Sequence, residues 1–423
     1  MTKMALIEVQ DLKVHFKIQN GWVKAVDGVS FMIDAGETMG LVGESGCGKT
    51  TAAYAITQLL PPNGFVKSGF IFFKEPPRTR LLRLEYDQMF KGNPKGRERE
   101  IATMRARLTK LLEEKRDIKD KTGQVKSKGT PEQIERLDAS SAEVTELTER
   151  LRALTYFYDL LAKSKLKDGR LDDFNEEIRK IRWKEISMIF QGAMNAFNPV
   201  FRVGDQIIEA IQLHEDVDDD KATERAKALF NFVGIPEDRI TNYPHEFSGG
   251  MKQRAMIALA LALSPKFIIA DEPTTALDVI TQDRILFEIR KLQEQLKMAM
   301  MIITHDVSVV AEVSDKIAVM YAGRIMEIGK TVQVFKNTAH PYTSGLLGSF
   351  PSIEGERRRL ISIPGFPPDL VNPPPGCPFH PRCGYAKPDC SKVVPKGIEL
   401  EPGHISYCHY AKELQPNLRR LGG

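Results

Sequence analysis

The chain of 423 residues is 42% hydrophobic and 27% charged, so it can bury a core, and wholesale disorder is excluded. Its length is typical of two or three domains. No run of about 18 consecutive apolar residues occurs, and the N-terminal MTKMALIEVQ lacks the apolar segment of a secretory signal. We therefore expect a chain without a membrane-spanning helix, which meets a membrane only through a partner.

The charge is distributed unevenly along the chain. Residues 91–182 hold 23 Lys or Arg against 18 Asp or Glu, whereas the rest of the chain holds 37 against 38. A protein that binds nucleic acid needs a basic surface to meet the phosphates. Since the main part of the chain has no such excess, we expect no nucleic-acid partner.

Strands and helices are predicted to alternate along most of the chain. Residues 6–16 and 29–33 have strand patterns, and a strand at 37–42 ends in a glycine loop that opens a helix over about 49–60. Four more apolar runs predict buried strands, at 184–190, 267–270, 300–304 and 317–321. This alternation is typical of an α/β fold with a mostly parallel sheet.

A different hydrophobic period occupies residues 98–163. Apolar side chains recur there every seven residues, as at Leu137, Val144, Leu151 and Tyr158. Thr130 followed by a proline supplies the start signal of this second arm. We predict an antiparallel coiled-coil hairpin, inserted at about 91–182, whose second arm reaches roughly 45 Å; a solvated helical face without function is the alternative.

The loop GESGCGKT at residues 43–50 fits the phosphate-loop pattern G-x-x-x-x-G-K-[ST]. Its glycines let backbone N–H groups turn towards an anion at the start of the following helix. Lys49 can then reach the β- and γ-phosphates of a nucleotide, and the Thr50 hydroxyl can bind Mg²⁺. The predicted contacts are Gly43, Ser45, Gly46, Cys47, Gly48, Lys49, Thr50 and Thr51, with the Cys47 side chain acting as a small filler.

The apolar run FIIA ends in Asp271 and Glu272. A carboxylate directly after a buried strand can complete the Mg²⁺ shell beside a phosphate loop, and the next one can polarise an attacking water. We expect Asp271 to bind the metal and Glu272 to act on the water.

A second helix start with phosphate-binding character lies at FSGGMKQR, residues 247–254. One nucleotide cannot need both helix starts of the same chain. Together with Gln191, with Asp278 in ALD and with His305 after the strand MMIIT, these motifs resemble those of the ATP-binding-cassette (ABC) family, in the family's order. The resemblance covers residues 5–80 and 183–330.

The resemblance implies the fold of an ABC ATPase, a P-loop NTPase with a parallel core sheet and a helical signature subdomain. It also implies that two cassettes meet head to tail, so that each ATP touches the phosphate loop of one chain and Ser248, Gly249 and Gly250 of the other. In such a dimer Glu272 is the general base, His305 senses the γ-phosphate, and Gln191 contacts Mg²⁺ or the water. Asp278 contributes to the nucleotide site, and Phe16 stacks on adenine.

More narrowly, the chain resembles the ATP-binding subunits of the oligopeptide/dipeptide importer subfamily. The segments that carry this likeness are IFQGAMNAFNP at 189–199, HPYTSGLL at 340–347, IPGFPP at 363–368 and the tail that begins GCPFHPRC at 376–383. In this subfamily the four tail cysteines can bind a [4Fe–4S] cluster. The likeness therefore implies a cluster at Cys377, Cys383, Cys390 and Cys408.

The cysteine spacing C-x₅-C-x₆-C-x₁₇-C by itself leaves the ligand open. Four thiolates suit one iron–sulfur cluster, and they suit a tetrahedral zinc ion equally, although zinc sites more often use closer pairs. Disulfides, or no ligand, are the remaining alternatives.

We accordingly expect an ABC nucleotide-binding domain at 1–330, interrupted by the hairpin, and a small Cys-rich domain at 331–423. The implied function is ATP hydrolysis that drives peptide import from the cytoplasmic face of the membrane. The implied partners are a second ATPase subunit, with a heterodimer favoured over a homodimer, two membrane permeases and an extracytoplasmic substrate-binding protein. Oligosaccharide or metal uptake is the alternative, and a DNA-repair or chromosome-organising ABC ATPase is a distant one.

Overall fold

The computed structural model describes residues 5–73, 181–192, 196–273, 279–349 and 363–418, together with isolated helical residues between 96 and 147. The chain forms two compact units, one of residues 3–71 and 172–423 and the other of residues 72–171. The C-terminal region thus belongs to the same unit as the cassette residues. In the described part of the chain, no helix has both the length and the apolar character needed to cross a bilayer.

The main unit contains two sheets and a set of helices. The strands are β1 (Ala5–Ile18), β2 (Gly21–Asp34), β3 (Thr38–Val42), β4 (Gly64–Phe73), β5 (Ile186–Ile189), β6 (Phe267–Asp271), β7 (Ala299–Thr304), β8 (Lys316–Tyr321), β9 (Arg324–Lys330), β10 (Ile398–Glu401) and β11 (His404–Ser406). The described helices are α1 (Lys49–Thr57), α2 (Val203–His214), α3 (Asp219–Phe232), α4 (Gly249–Leu261), α5 (Val279–Leu296), α6 (Val307–Val313), α7 (Thr331–Lys336), α8 (Pro341–Gly348) and α9 (Ala411–Leu418).

The larger sheet has eight strands in the order β10-β11-β9-β8-β3-β7-β6-β5. Strands β8, β3, β7, β6 and β5 run parallel to one another, and every residue of β3, β6 and β7 is buried. Burial on both faces explains why these strands read as unbroken apolar runs.

The sheet is mixed rather than parallel throughout. The turn at Ala322 and Gly323, both with positive φ, joins β8 directly to β9, and so short a connection forces antiparallel pairing. Strands β10 and β11 extend this antiparallel part, with Ile405 opposite Ile328. The predicted mostly parallel sheet with a parallel core is confirmed, and the antiparallel edge is an addition that the sequence analysis did not specify.

A second sheet has three strands in the order β2-β1-β4. Strands β1 and β2 form a long antiparallel hairpin, in which Phe16 lies opposite Val23. The strand predicted at 29–33 is the second half of β2.

Helix α1 is shorter than the helix predicted over 49–60. Gln58 takes a left-handed φ of 54°, which ends the helix. The Arg182 guanidinium then caps the last carbonyls of the helix, donating to Thr57 O at 2.9 Å and to Gln58 O at 2.6 Å.

Helices α2, α3 and α4 form a separate helical layer. Asp218 caps α3 by accepting from the Lys221 N–H, and Phe230 packs edge-on against Phe247 at 6.2 Å between ring centroids. The core beneath them is apolar and continuous with the side chains of β5 to β7. This layer positions the Ser-Gly-Gly segment at the start of α4.

The predicted hairpin lies almost entirely outside the described residues. In the second unit, Arg107 Nε donates to Glu143 Oε1 at 2.9 Å, which joins two helical residues that are far apart in sequence. Both side chains are about half exposed.

The C-terminal region is tied to the sheet by a buried carboxylate. Glu327, on β9, is fully buried and accepts from the backbone N–H groups of Ala339 at 2.9 Å and His340 at 3.0 Å. His404 Nε2, on β11, lies 2.8 Å from the same carboxylate. One side chain thereby joins β9, the residues before α8, and β11.

Candidate active site

The phosphate loop connects β3 to α1 and is wedged between two backbone segments. A Cβ atom on Gly43 would lie 2.0 Å from Met320 O, and one on Gly48 would lie 2.0 Å from Ala25 O. Both glycines also have positive φ values, 155° and 103°. Only glycine fits at these two positions, whereas Ser45 and Gly46 stand exposed at the tip of the loop.

Lys49 lies across the loop. Its ammonium donates to Gly43 O at 2.8 Å and to Glu44 O at 3.0 Å, and the residue is 7% exposed. Burial raises the pKa of the Cys47 thiol, so this side chain is a neutral filler under the loop. Thr51, on the first turn of α1, is half-buried.

Thr50 and Asp271 meet at the carboxyl edge of the sheet. Thr50 Oγ1 donates to Asp271 Oδ1 at 3.2 Å. Burial raises the pKa of Asp271, and its Oδ2 is buried without a hydrogen-bond partner among the described residues. A buried carboxylate oxygen without a partner beside a hydroxyl suits a hard cation such as Mg²⁺.

Gln191, Glu272 and His305 come together at the same edge. Gln191 Nε2 donates to Glu272 Oε2 at 2.7 Å, and His305 Nδ1 lies 3.2 Å from Glu272 Oε1. The three residues follow β5, β6 and β7, which are adjacent parallel strands, so their carboxyl ends share one edge. The structure thus brings into contact the three side chains to which the family resemblance assigned roles at the nucleotide.

The backbone at Glu272 is strained. Its φ of 46° is left-handed, which is costly for a residue with a Cβ. A hydrogen bond from its N–H to Ile303 O at 2.8 Å holds it against β7. The carboxylate is therefore aimed by the backbone as well as by its two neighbours.

Ser248 is the N-cap of α4 and accepts from the Met251 N–H at 3.3 Å. Ser248 is exposed, and Gly249 and Gly250 are half-exposed. Among the described residues, no hydrogen bond joins these three to the phosphate loop. The exposure of Ser248 leaves the helix start accessible to a second molecule.

Two predicted site residues need separate comment. Phe16 is half-buried, and its ring packs on Gly64, where a Cβ atom would lie 2.8 Å from a ring carbon. Asp278 lies outside the described residues.

The four tail cysteines converge on one small cavity, which His380, Tyr385, His409 and Tyr410 also line. All four thiols are free, which excludes disulfides in this structure. Burial raises the pKa of Cys377 to about 11 and that of Cys408 to about 12. In the described ranges, no three His, Cys, Asp or Glu side chains stand at metal-binding spacing, so the predicted cluster has no direct structural support.

Sequence reasoning missed three residues that contact or hold the phosphate loop. Glu44 N–H donates to Tyr342 Oη at 3.0 Å, and the Glu44 carboxylate pairs with Arg382. Tyr342 and Arg382 fall inside the segments HPYTSGLL and GCPFHPRC, but those segments do not reveal a partner about 300 residues away. Glu44 is one of the unspecified positions of the loop pattern.

Comparison with known proteins decides the family. The sequence profile described as ABC transporter matches residues 26–275, which is more than half of the chain. The chain belongs to the ABC transporter family. A second profile, described as the C-terminal region of oligopeptide/dipeptide transporters, matches residues 326–390 of this ABC protein.

Full-length relatives of this ABC protein include two oligopeptide transport ATP-binding proteins OppD. The one from Haemophilus influenzae is 34% identical over 96% of this chain and 98% of its own. The one from Escherichia coli is 36% identical over 96% of this chain and 93% of its own.

A dipeptide transport ATP-binding protein DppD from Caldanaerobacter subterraneus is 33% identical over 97% of this chain and 98% of its own. Among solved structures, the dimeric post-hydrolysis state of the ATP-binding cassette MJ0796 bound to ADP and Pi aligns with a TM-score of 0.49 at 19% identity, over 77% of this chain and 98% of that one.

Proposed function

We propose that this chain is the ATP-hydrolysing subunit of an ABC importer for oligopeptides or dipeptides. The observation that carries the proposal is the placement of Glu272, bracketed by Gln191 and His305 at the sheet edge where Thr50 meets Asp271. The relatives named oligopeptide and dipeptide transport ATP-binding proteins support the peptide substrate.

In the proposed reaction Glu272 accepts a proton from the attacking water. The water oxygen bonds to the γ-phosphorus while the bond to the bridging oxygen breaks, which gives ADP and phosphate. Gln191 and His305 orient the carboxylate. Thr50 and Asp271 would hold Mg²⁺, which neutralises charge on the phosphates, and Lys49 donates to their oxygens.

The outward-facing start of α4 supports a head-to-tail dimer. In this proposal Ser248, Gly249 and Gly250 of one cassette close over the ATP held by the other, and Asp278 and Phe16 complete the nucleotide contacts. We propose a homologous second ATPase subunit as the partner, so that the working pair is a heterodimer.

The proposed location is the cytoplasmic face of the cell membrane, on two permease subunits that a substrate-binding protein supplies from outside. The exposed side chains of Val200 (70%) and Phe201 (55%) follow the Gln191 segment and offer an apolar surface for a permease.

We also propose that Cys377, Cys383, Cys390 and Cys408 hold a [4Fe–4S] cluster, with zinc as the alternative. The support is the chemistry of the donor set, since four free thiols line one cavity and four thiolates are the ligands that either group takes. Iron and acid-labile sulfide, measured on anaerobically purified protein, are expected in a ratio near one. Zinc without iron would show that the site holds zinc instead of the cluster. Protein that contains no iron, sulfide or zinc would refute the proposal.

The decisive experiment combines co-purification with transport. The tagged protein, isolated from native membranes, should bring two permeases and a second cassette, and the complex in vesicles should hydrolyse ATP faster when peptide and its binding protein are supplied. Glu272→Gln should abolish this stimulation, whereas Glu294→Gln, at an exposed helix position, should leave it unchanged. Stimulation by duplex DNA, or by oligosaccharide but not peptide, would refute the proposed substrate class.

A further inference from the structure

An ion pair links the C-terminal region to the phosphate loop. The Arg382 guanidinium binds both oxygens of Glu44, with Nη1 at 2.8 Å from Oε2 and Nη2 at 3.2 Å from Oε1. The Arg382 side chain is only 8% exposed. This bidentate geometry fixes direction as well as distance.

Other contacts hold Arg382 in place. Its Nε donates to Pro364 O at 2.7 Å, its Nη2 donates to Gly365 O at 3.2 Å, and its Nη1 donates to Tyr321 Oη at 3.2 Å. Every nitrogen of the guanidinium is thus bonded. These bonds fix the guanidinium in the position from which it pairs with Glu44.

A second link reaches the backbone of the same loop residue. The Glu44 N–H donates to Tyr342 Oη at 3.0 Å. Tyr342 is fully buried and packs against Tyr321 and Phe379, at 4.6 Å and 5.3 Å between ring centroids. Both the backbone and the side chain of Glu44 are therefore held by residues from the C-terminal part of the chain.

A carboxylate in a phosphate-binding loop presents an electrostatic problem. An unpaired Glu44 would repel a triphosphate, and Arg382 both neutralises the charge and turns it towards the C-terminal region. We propose that Arg382 is a positioning residue for nucleotide binding, which makes the affinity of the phosphate loop for ATP depend on the C-terminal region. The inference rests on the proposed function, because it assumes that this loop binds ATP.

The test is a set of four variants with nucleotide affinity as the readout. Arg382→Gln, Glu44→Gln and the double variant are compared with Arg225→Gln. Arg225 also pairs with a carboxylate, Glu215, and donates to a backbone carbonyl, but it lies in the helical layer away from the loop. Dissociation constants for Mg·ATP and Mg·ADP are measured on the full chain with a fluorescent analogue, at two salt concentrations, alongside melting temperatures.

Arg382→Gln is expected to raise the dissociation constant for ATP by about tenfold, more at low salt than at high salt, because it exposes the Glu44 charge to the phosphates. Adding Glu44→Gln should restore affinity to within about threefold of the original chain, since it removes that charge. If Arg382 only stabilised the fold, adding Glu44→Gln would not restore the ATP affinity that Arg382→Gln loses. Arg225→Gln should leave the affinity unchanged.

Equal ATP affinity in Arg382→Gln and the original chain, or a double variant no better than Arg382→Gln, would overturn the inference alone. Absence of ATP binding in the original chain would overturn the proposed function and the inference with it. If Arg382→Gln does not fold, Arg382→Lys and Tyr342→Phe decide the matter. Each should weaken ATP binding several-fold, and unchanged affinity in both would refute the positioning role.

Discussion

Glu327 is expected to control how firmly the C-terminal region stays on the sheet. Glu327→Gln replaces one carboxylate oxygen with an NH₂ group while keeping the shape of the side chain. Because Oε1 faces Ala339 N–H and His404, and Oε2 faces His340 N–H, either orientation of the amide leaves a buried donor without an acceptor. An unsatisfied buried group costs about 1–3 kcal/mol, and the remaining bonds lose their charge assistance.

The expected loss is about 3 kcal/mol in the free energy of opening this region, which corresponds to about 100-fold faster amide exchange. Hydrogen exchange read by mass spectrometry on peptides that cover 331–349 measures it directly. Glu399→Gln is the control, because Glu399 is an exposed residue of β10 that accepts from Gly403 N–H at 2.9 Å; its effect should stay within about 0.5 kcal/mol. Exchange in Glu327→Gln within threefold of the original chain would refute the reasoning.

Three further outcomes are expected at the nucleotide site. Glu272→Gln should lower ATP turnover by about 10²–10⁴-fold and leave the ATP affinity within threefold of the original chain. It should also trap the dimer, which gel filtration with ATP would show. Unchanged turnover would mean that Glu272 is not the base. Gly48→Ala should abolish ATP binding, because its Cβ would lie 2.0 Å from Ala25 O, whereas Gly384→Ala, with no atom within 4 Å, should bind normally in the same fluorescence titration. Ser248→Ala should destabilise the start of α4 by about 1 kcal/mol and lower turnover at constant ATP affinity, and full turnover would contradict a shared site.

Much of the nucleotide site could be predicted from local sequence alone. The phosphate loop requires glycine where backbone carbonyls press on it, and the buried strand before Asp271 is a continuous apolar run. Gln191 and His305 were reached by motif order, and the adjacency of their strands explains why that order places them around Glu272. These features can be predicted from the sequence because each depends on a short segment and on the common direction of parallel strands.

Other features could not be read from the sequence because they depend on partners distant in the chain. Neither Glu44 nor Arg382 has a local sequence pattern that predicts a bidentate pair, and nothing in the sequence around Glu327 predicts that its carboxylate is buried. The proline-rich stretch after residue 363 has little periodicity, so the addition of β10 and β11 to the sheet was not predicted. Gly323, a glycine in the short turn between β8 and β9, was the sequence feature that could have predicted antiparallel pairing there.

The wedge around the phosphate loop has a consequence for biosynthesis. The floor of the loop is Met320, its lateral supports are Tyr342 and Arg382, and all three leave the ribosome after some 270 residues or more have followed the loop itself. A nascent chain that has released only its first half therefore exposes the glycines without the scaffold that shapes them. The loop therefore gains its full set of supports only after the chain has been synthesised through residue 382.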